Sequence, residues 1–366
     1  MKLLIDLTSL ADNFSGIERF ASSITKELVK YKEHEYILVF KNQVHKGFEN
    51  LDNVTNVVVK GKNKLIFNQL RLPVKLWGLK ADYYIFPAFP APFLFLSKKS
   101  ISAIHDMGCW DCPETNKKHM VAYFKILYRK AAMGGKKIIT VSEFSKSRIV
   151  DILKVNCEDV WVIYNGISDC FLNFKYDEAE DIRIRNKLSL PQQYILCLST
   201  IEPRKNMRLL IDAYVEMREK NFEQELVLAG RKGWMVDTLL KGISENTRSH
   251  IHFTGFVDDN ELPYVYYGAD VFVFPSLYEG FGIPPLEALA CGTPVLSSNA
   301  ASMPEVLGDE VAFFDNNDKD SLKRRIEDIL FYANNGEYQQ RKSKLIITKY
   351  LWNKEAKKLL ENLANL

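Results

Sequence analysis

Short apolar runs, rich in β-branched and aromatic residues, alternate with longer segments of helical period along the whole chain of 366 residues. The runs in the first half predict strands at Lys2–Leu7, Tyr36–Phe40, Val57–Val59, Asp82–Phe86, Ser100–His105, Lys137–Val141 and Val160–Ile163. Those in the second half predict strands at Tyr194–Ser199, Glu225–Ala229, Ile251–Phe253, Asp270–Phe274, Pro294–Ser297 and Val311–Phe314. Because apolar strands alternate with crossover helices, the pattern predicts two parallel sheets covered on both faces.

The clearest predicted helix follows the first strand. Ser15 and Glu18 have the spacing of a capping box, and apolar residues then recur at helical intervals, at Ile17, Phe20, Ile24, Leu28 and Tyr31. Between residues 168 and 193 the sequence is polar and weakly periodic, which predicts a linker. We therefore expect one domain over 1–170, a second over 171–345, and a C-terminal helix over 346–366 that could pack on either domain, including a return to the first.

Composition narrows the class of protein. Hydrophobic residues make up 47% and charged residues 26%, which excludes a disordered, collagenous or coiled-coil chain. The longest apolar stretch, Ile85–Leu96, has 12 residues interrupted by prolines, whereas a helix that spans a bilayer needs about 20. Without a signal-peptide pattern at the start, the six cysteines are expected to be reduced thiols of a cytoplasmic protein.

The net charge of +3 hides an asymmetry between the two halves. Residues 1–170 carry 25 Lys and Arg against 17 Asp and Glu, a net +8, which leaves −5 for the rest of the chain. A basic stretch over residues 60–100 contains a single acid, Asp82, and apolar residues interleave with its cations. Such a stretch is typical of contact with an anionic membrane surface, although a solvated helix face over the first sheet explains it equally well.

Parallel sheets of this kind bind ligands at the carboxyl ends of their strands. The loop after the strand Asp270–Phe274 contains Gly280 and Gly282, which allow close approach of a ligand, and it enters a helix. A helix N-terminus favours an anion such as phosphate. Glu279 and Glu287 flank this turn, and their carboxylates suit sugar hydroxyls better than phosphate.

Other charged or polar residues and a glycine are predicted near the carboxyl ends of strands. Arg204 and Lys205 follow the strand Tyr194–Ser199 and could neutralise a diphosphate. His105 ends a strand of the first domain, and Gly16 begins its first helix. Each of these alone is more often a surface or packing residue, and only the shared edge favours function.

The residues now resemble a known family. The motifs Thr254–Val257 and Gly268–Ser276, followed by Glu279 and Glu287, are similar to the donor-binding region of the retaining glycosyltransferases of family 4. Further segments match in order and separation: Glu202–Asn206, Ala229–Trp234, Val141–Ser145, Asn165–Ile167 and His105-Asp106. The resemblance covers nearly the whole chain and implies the α/β GT-B fold, two Rossmann-like, doubly wound parallel-sheet domains facing a central cleft. One departure is Gly16, which stands in a loop that often carries two glycines in relatives.

The resemblance also implies roles. Arg204 and Lys205 would bind the donor diphosphate, with backbone N–H groups of Gly280, Phe281 and Gly282. Glu279 would hold hydroxyls of the transferred sugar and Glu287 those of the ribose. The remaining donor-side residues would be Arg231, Phe256 and Val257 near the base, His105 at the sugar, Gly16 at the diphosphate or acceptor, and Asn165.

The family retains the configuration of the anomeric carbon, and the resemblance implies front-face attack assisted by the leaving phosphate. Catalysis would then be electrostatic, with no side-chain nucleophile, no cofactor and no metal. Asp318-Lys319-Asp320 is better explained as a helix N-cap than as a metal motif. Cys109 and Cys112 with His105 and His119 form only a weak zinc pattern, because a second cysteine pair is missing.

Several functions stay open at this point. The segments Ala229–Trp234 and Ser298–Ser302 resemble those of the mannosyltransferase-like enzymes of bacterial surface polysaccharides, including lipopolysaccharide and capsule. GDP-mannose is therefore the first expected donor, with UDP-hexose and dTDP-rhamnose next. The acceptor would be a glycan or lipid-linked glycan, with peripheral contact at the inner face of the plasma membrane. Alternatives are a sugar-nucleotide epimerase of the same fold and a non-catalytic binding protein. An NAD-dependent oxidoreductase lacks its glycine motif, and no motif supports a nucleic-acid partner.

Overall fold

The computed structural model describes residues 1–10, 16–62, 66–95, 97–231, 239–334 and 348–366. The chain forms two compact units, the first made of Met1–Gly166 with Tyr350–Leu366, and the second of Ile167–Lys349. Each unit has its own sheet, and every strand pair in both sheets is parallel. The predicted α/β class with two Rossmann-like sheets is therefore confirmed.

The sheet of the first unit has the strand order β3-β2-β1-β4-β5-β6-β7, so the order reverses between β1 and β4. Its strands are β1 Lys2–Asp6, β2 Glu35–Lys41, β3 Val54–Val59, β4 Tyr83–Phe86, β5 Ser100–Ala103, β6 Lys137–Thr140 and β7 Val160–Val162. Buried side chains of β1, β2 and β4, with Phe67 and Leu76 beside them, form part of the core. Each strand predicted from the sequence for this unit is present, with ends that differ from the prediction by at most three residues.

Helices connect these strands. They are α1 Gly16–Leu28, a π-helical turn Phe67–Arg71 that continues into α2 Leu72–Trp77, α3 Gly108–Asp111, α4 Lys118–Gly134 and α5 Glu143–Leu153, with short 3₁₀ turns at Pro113–Thr115 and Cys157–Asp159. The Ser142 hydroxyl accepts a hydrogen bond from the Ser145 N–H and caps α5. The apolar face of α1 is buried as its period predicts, whereas the proposed capping residue Ser15 lies outside the described residues.

The second unit has the strand order β10-β9-β8-β11-β12-β13, which reverses between β8 and β11. Its strands are β8 Tyr194–Leu198, β9 Glu225–Ala229, β10 Ile251–Gly255, β11 Val271–Phe274, β12 Val295–Ser298 and β13 Ala312–Phe314. Its helices are α6 Asp169–Leu172, α7 Glu178–Leu188, α8 Met207–Arg218, α9 Glu245–Arg248, α10 Leu262–Tyr267, α11 Ile283–Cys291, α12 Met303–Leu307 and α13 Lys319–Asn334. Two 3₁₀ turns lie at Pro203–Lys205 and Gly308–Glu310.

The polar segment predicted as a linker is not one. It contains α6 and the three-turn helix α7, capped by the Asp177 side chain on the Glu180 N–H. The helical period is hard to see because Ile184 is the one apolar residue of α7 that is buried. Arg183 and Lys187 of the same helix both pair with Glu261, which is 7% exposed. A helix with one buried apolar residue and ion pairs on its other positions leaves no clear hydrophobic period in the sequence.

The last helix, α14 Trp352–Ala364, belongs to the first unit. Its buried face packs against α1, and its Glu355 carboxylate accepts a hydrogen bond of 2.9 Å from the Tyr164 N–H. A Cβ added to Gly166 would lie 2.5 Å from the backbone nitrogen of Trp352, so glycine is required for this close approach of the two chain segments. The first two residues of the helix predicted over 346–366 lie outside the described residues.

Candidate functional site

Two loops of the second unit meet where its strand order reverses. One follows β8 and carries Arg204 and Lys205, and the other follows β11 and carries Glu279. The Leu277 N–H donates a 2.9 Å hydrogen bond to the Arg204 carbonyl and joins the loops directly. The reversal point of a doubly wound sheet is where such folds bind ligands, so the sheet topology itself places these side chains at a site.

Glu279 lies between the two cations. The Lys205 ammonium is 2.6 Å from one carboxylate oxygen of Glu279, and the Arg204 guanidinium is 3.4 Å from the other. Arg204 also donates to the Tyr278 carbonyl at 2.9 Å and pairs with Glu202 at 3.1 Å. Two positive charges are thus balanced by two carboxylates.

The Glu279 carboxylate is buried and firmly oriented. The Ser276 hydroxyl donates to it at 2.6 Å, and the Ser302 hydroxyl donates to the Glu279 carbonyl at 3.0 Å. Burial alone would raise the pKa of Glu279, but Lys205 and Arg204 outweigh it and hold that pKa below its usual value. Glu279 is therefore ionised at neutral pH.

The loop then enters α11 through Gly282, whose φ of +86° lies in the left-handed region. A Cβ at this position would also lie 2.4 Å from the Met303 methyl group, which would have to move, so the positive φ is the main reason for glycine here. The first turn of α11 contains Pro284 and Pro285, which have no N–H. This helix end consequently offers fewer amide donors to an anion than a typical one, and the Arg204–Lys205 pair is the main positive charge of the site.

Glu287, on the second turn of α11, is buried at 3% exposure. The Tyr266 hydroxyl of α10 donates a 3.0 Å hydrogen bond to its carboxylate. Tyr266 is itself fixed, because its carbonyl accepts a 2.7 Å hydrogen bond from the Thr293 hydroxyl and its ring packs edge-on against Phe272. Glu287 is thus held in one orientation from outside its own helix.

Arg231, Phe256 and Val257 form a further group of predicted residues in the same unit. The Arg231 guanidinium lies 5.3 Å from the centroid of the Phe256 ring, which is exposed, while Val257 is buried. Gly230 before them has φ +127°, and a Cβ there would lie 2.1 Å from the Ser199 carbonyl oxygen. The three last residues of the Ala229–Trp234 motif lie outside the described residues.

His105 lies in the first unit, just after β5. Its Nε2 is 2.9 Å from the Pro87 carbonyl, and because a carbonyl only accepts, Nε2 carries the hydrogen. Burial lowers the pKa of His105, so the ring is neutral at pH 7. The Ser145 hydroxyl donates a 3.2 Å hydrogen bond to the His105 carbonyl. The Phe20 ring packs edge-on against the His105 ring, with 5.1 Å between the two centroids.

Gly16 and Asn165 complete the predicted set, also in the first unit. Gly16 starts α1 and is exposed, and no atom of the described residues lies within 4 Å of an added Cβ. Asn165 follows β7 and is 4% exposed, and among the described residues its side-chain oxygen has no hydrogen-bond partner. The described structure thus brings Arg204, Lys205 and Glu279 together, while His105, Gly16 and Asn165 belong to the other unit.

The described ranges contain no cluster of three or more His, Cys, Asp and Glu side chains suited to a metal ion. The Asp318 carboxylate accepts a 2.8 Å hydrogen bond from the Ser321 N–H, which is the helix cap predicted for the Asp318-Lys319-Asp320 segment. Among the helices described, none combines the length and the apolar character needed to cross a bilayer.

Sequence reasoning missed three residues that orient the site. Ser276 and Ser302 hold Glu279, and Tyr266 holds Glu287. Ser276 precedes Glu279 by three residues within one loop, and that spacing was an available signal. Tyr266 gave no signal, because an aromatic residue in an apolar helix is most often part of the core.

The sequence is similar to known protein families over most of its length. The family described as "Glycosyl transferases group 1" matches residues 178–363, and "Glycosyltransferase Family 4" matches residues 14–169. "O-antigen chain mannosyltransferase B" of Escherichia coli is 32% identical over 89% of this chain and 90% of its own length.

Solved structures show the same fold. Sucrose-phosphate synthase from Thermosynechococcus elongatus superposes with a TM-score of 0.77 at 16% identity, over 100% of this chain and 98% of that one. HepE of Anabaena in complex with UDP and glucose superposes with a TM-score of 0.73 at 17% identity, over all of both chains. The resemblance stated from the sequence is confirmed: this chain belongs to the group 1 glycosyl transferases and is a glycosyltransferase of the GT-B fold.

Proposed function

We propose that the protein is a retaining mannosyltransferase that moves mannose from GDP-mannose to a glycan or lipid-linked glycan in the synthesis of a bacterial surface polysaccharide. The observation that carries this proposal is the Arg204–Lys205 pair around the buried carboxylate of Glu279 at the reversal point of the second sheet. The choice of mannose and of a surface glycan rests on the relative named O-antigen chain mannosyltransferase B.

In this proposal the two cations act on the leaving group. Transfer of the sugar leaves negative charge on a nucleoside diphosphate, and a preorganised Lys205 and Arg204 stabilise that charge as it develops. No side chain forms a bond to the sugar. Glu279 binds sugar hydroxyls, Glu287 binds the ribose, and Arg231 with Phe256 and Val257 lies near the base.

The backbone of Gly280, Phe281 and Gly282 assists at the diphosphate in the same proposal. His105, Gly16 and Asn165 of the first unit are retained as donor-binding candidates on the family resemblance alone. We also propose contact with an anionic membrane through residues 60–100, which the charge pattern of that stretch predicts.

Thermal shift with nucleotides is the first test. A nucleotide at about 100 times its Kd stabilises the protein by about 2.7 kcal/mol, which for a unit of this size is a rise in Tm of roughly 5–10 °C. We expect GDP and GDP-mannose to give this shift. A larger rise in Tm with UDP-hexose or dTDP-rhamnose would change the proposed donor but not the proposed class of reaction.

Product analysis is the second test. Incubation with GDP-mannose and a glycan acceptor should give an α-linked product, read from the anomeric proton by NMR, because retention preserves the donor configuration. A β-linked product would contradict retention. Release of an epimerised sugar without any acceptor would instead assign the chain to the epimerases that share this fold.

A further inference from the structure

Four aromatic side chains form a cluster at the surface of the second unit. Phe174 and Tyr176 lie in the segment between α6 and α7, and Tyr264 and Tyr267 lie on α10. The Tyr176 and Tyr267 rings are inclined by 32° with 4.9 Å between their centroids, and the Phe174 ring packs edge-on against Tyr264 at 5.0 Å. We call these four residues the tyrosine patch.

The tyrosine patch is partly open to solvent, and its rings are held in place. Tyr176 is 47% exposed although its ring packs against that of Tyr267, and the other three residues are half-buried. The Tyr176 hydroxyl donates a 3.3 Å hydrogen bond to the Asp181 carboxylate, which also accepts one of 2.9 Å from Arg185. Because the rings are oriented before any ligand arrives, binding costs little conformational entropy.

The size of the tyrosine patch suits a small ligand better than a second protein. An aromatic side chain buries about 150–250 Å² when fully covered, so four rings that are each at most half exposed offer less than about 500 Å². A stable protein interface buries about 800 Å² on each partner. A few sugar rings, in contrast, cover an area of the size that the patch exposes.

The charge around the tyrosine patch is balanced. Residues 174–188 carry four acids and four bases, and α10 carries no charged residue. Two of these acids are paired within α7, Glu180 with Arg183 at 2.7 Å and Asp181 with Arg185 at 2.9 Å. A surface without net charge does not attract an anionic bilayer, a nucleic acid or a basic peptide. The balance favours an uncharged ligand.

Neutral sugars have the two properties that this surface can recognise. One face of a pyranose ring presents C–H groups, which pack against aromatic rings, and its hydroxyls donate hydrogen bonds to carboxylates. The tyrosine patch supplies the aromatic rings. Asp177 and Glu178, which directly follow Tyr176 in the chain and are exposed, supply the carboxylates.

We infer that the tyrosine patch is a second binding site, distinct from the donor site, which holds a segment of neutral oligosaccharide. The inference rests on the proposed function in one respect, since the glycan is the acceptor or its elongated product. The helix α10 serves both sites, because it also carries Tyr266, whose hydroxyl holds Glu287. A glycan bound at the patch stays on the unit that binds the donor, which raises the effective concentration of acceptor at the enzyme.

Direct binding of oligosaccharides tests the inference with the full chain. The probes are α-linked mannotetraose and maltotetraose, titrated by ligand-observed NMR with and without GDP. Tyr176→Ala should weaken binding of the preferred probe about fivefold to tenfold through loss of one aromatic contact, with Tm close to that of the wild type. Tyr176→Phe keeps the ring and should restore most of the affinity. The matched control is Tyr332→Ala, which removes a 48% exposed tyrosine of the same unit that packs against Phe331.

The outcomes separate this inference from the proposed function. If the wild type binds neither tetrasaccharide at about 10 mM, or if Tyr176→Ala binds as tightly as the wild type, the inference is wrong, and transfer from GDP-mannose is judged by its own assay. If Tyr176→Ala loses glycan binding but no nucleotide sugar supports transfer, the glycan site stands and the proposed function fails. A dimer in light scattering that Tyr176→Ala dissociates would assign the patch to a second copy and overturn the inference.

Discussion

Glu279 and Lys205 form the closest ion pair of the proposed donor site, and replacing each in turn separates their roles. The pair is 2.6 Å apart with side chains only 9% and 14% exposed, so solvent screens it weakly. In Lys205→Ala the Glu279 carboxylate stays buried and keeps Ser276 and the more distant Arg204. Removing one partner of a buried pair costs about 3–5 kcal/mol, and the remaining partners reduce this to roughly 2 kcal/mol.

The effect on function differs between the two variants. Lys205→Ala removes charge that stabilises the leaving diphosphate, so we expect kcat to fall by about 10²–10³, the loss typical of one electrostatic donor in an active site. Glu279→Gln keeps the shape of the side chain and removes the carboxylate that already neutralises the cations. A nucleoside diphosphate should then bind more tightly, by up to about tenfold, while transfer continues at a reduced rate.

Calorimetric titration with the nucleoside diphosphate and steady-state kinetics with the full donor measure the two effects separately. Thermal denaturation provides the stability term, with Tm expected about 4–8 °C lower in Lys205→Ala. Lys220→Ala, an exposed cation of the same unit, is the matched control. Equal loss of nucleotide binding in Glu279→Gln and Lys205→Ala would refute this division of roles.

Three further predictions concern residues around the site. Tyr266→Phe removes the hydrogen bond to Glu287, so KM for the donor should rise about threefold to tenfold with little change in kcat. With a donor whose ribose lacks the 2′ and 3′ hydroxyls, KM should be the same for the variant and the wild type. Gly230→Ala places a Cβ against the Ser199 carbonyl at positive φ, so the variant should unfold at a clearly lower urea concentration, and an unchanged midpoint would contradict the strain. Burial raises the pKa of Asp270 to about 6, so the native state holds its proton more tightly and the ionised form destabilises the fold above that pH. Asp270→Asn should therefore raise Tm at pH 7, with the gain shrinking as pH falls from 6 towards 4, and a gain independent of pH would exclude this cause.

The alternation of apolar strands and helical segments was enough to predict both sheets, because buried parallel strands need continuous β-branched runs. The loop carrying Glu279 and Gly282 was predictable for a related reason, since its glycines and prolines mark the strand-to-helix turn. The helix α7 was not predictable from hydrophobic period, because Ile184 is its one buried apolar residue and Arg183 and Lys187 pair with Glu261 instead. Its partner lies more than 70 residues away in the chain, and no local pattern reports such a pairing.

The orientation of the site residues was equally beyond the sequence. Tyr266 and Ser302 reach Glu287 and Glu279 from other elements of the second unit, at separations of 21 and 23 residues. Loop motifs identify which carboxylates could bind a ligand, but only packing determines which hydroxyls hold them. The sequence therefore predicted the acids and cations of the site and left out the groups that fix their geometry.

The position of α14 in the first unit has a consequence for the order in which the protein folds. Its Glu355 and Trp352 complete the packing at Tyr164 and Gly166, although the whole of the second unit lies between them in the chain. During synthesis the strands of the second unit emerge before α14 does, so the second unit can begin to fold while the first unit still lacks the helix that packs against α1. Until α14 emerges, the apolar face of α1 stays uncovered, so we expect any chaperone to bind the first unit at that face.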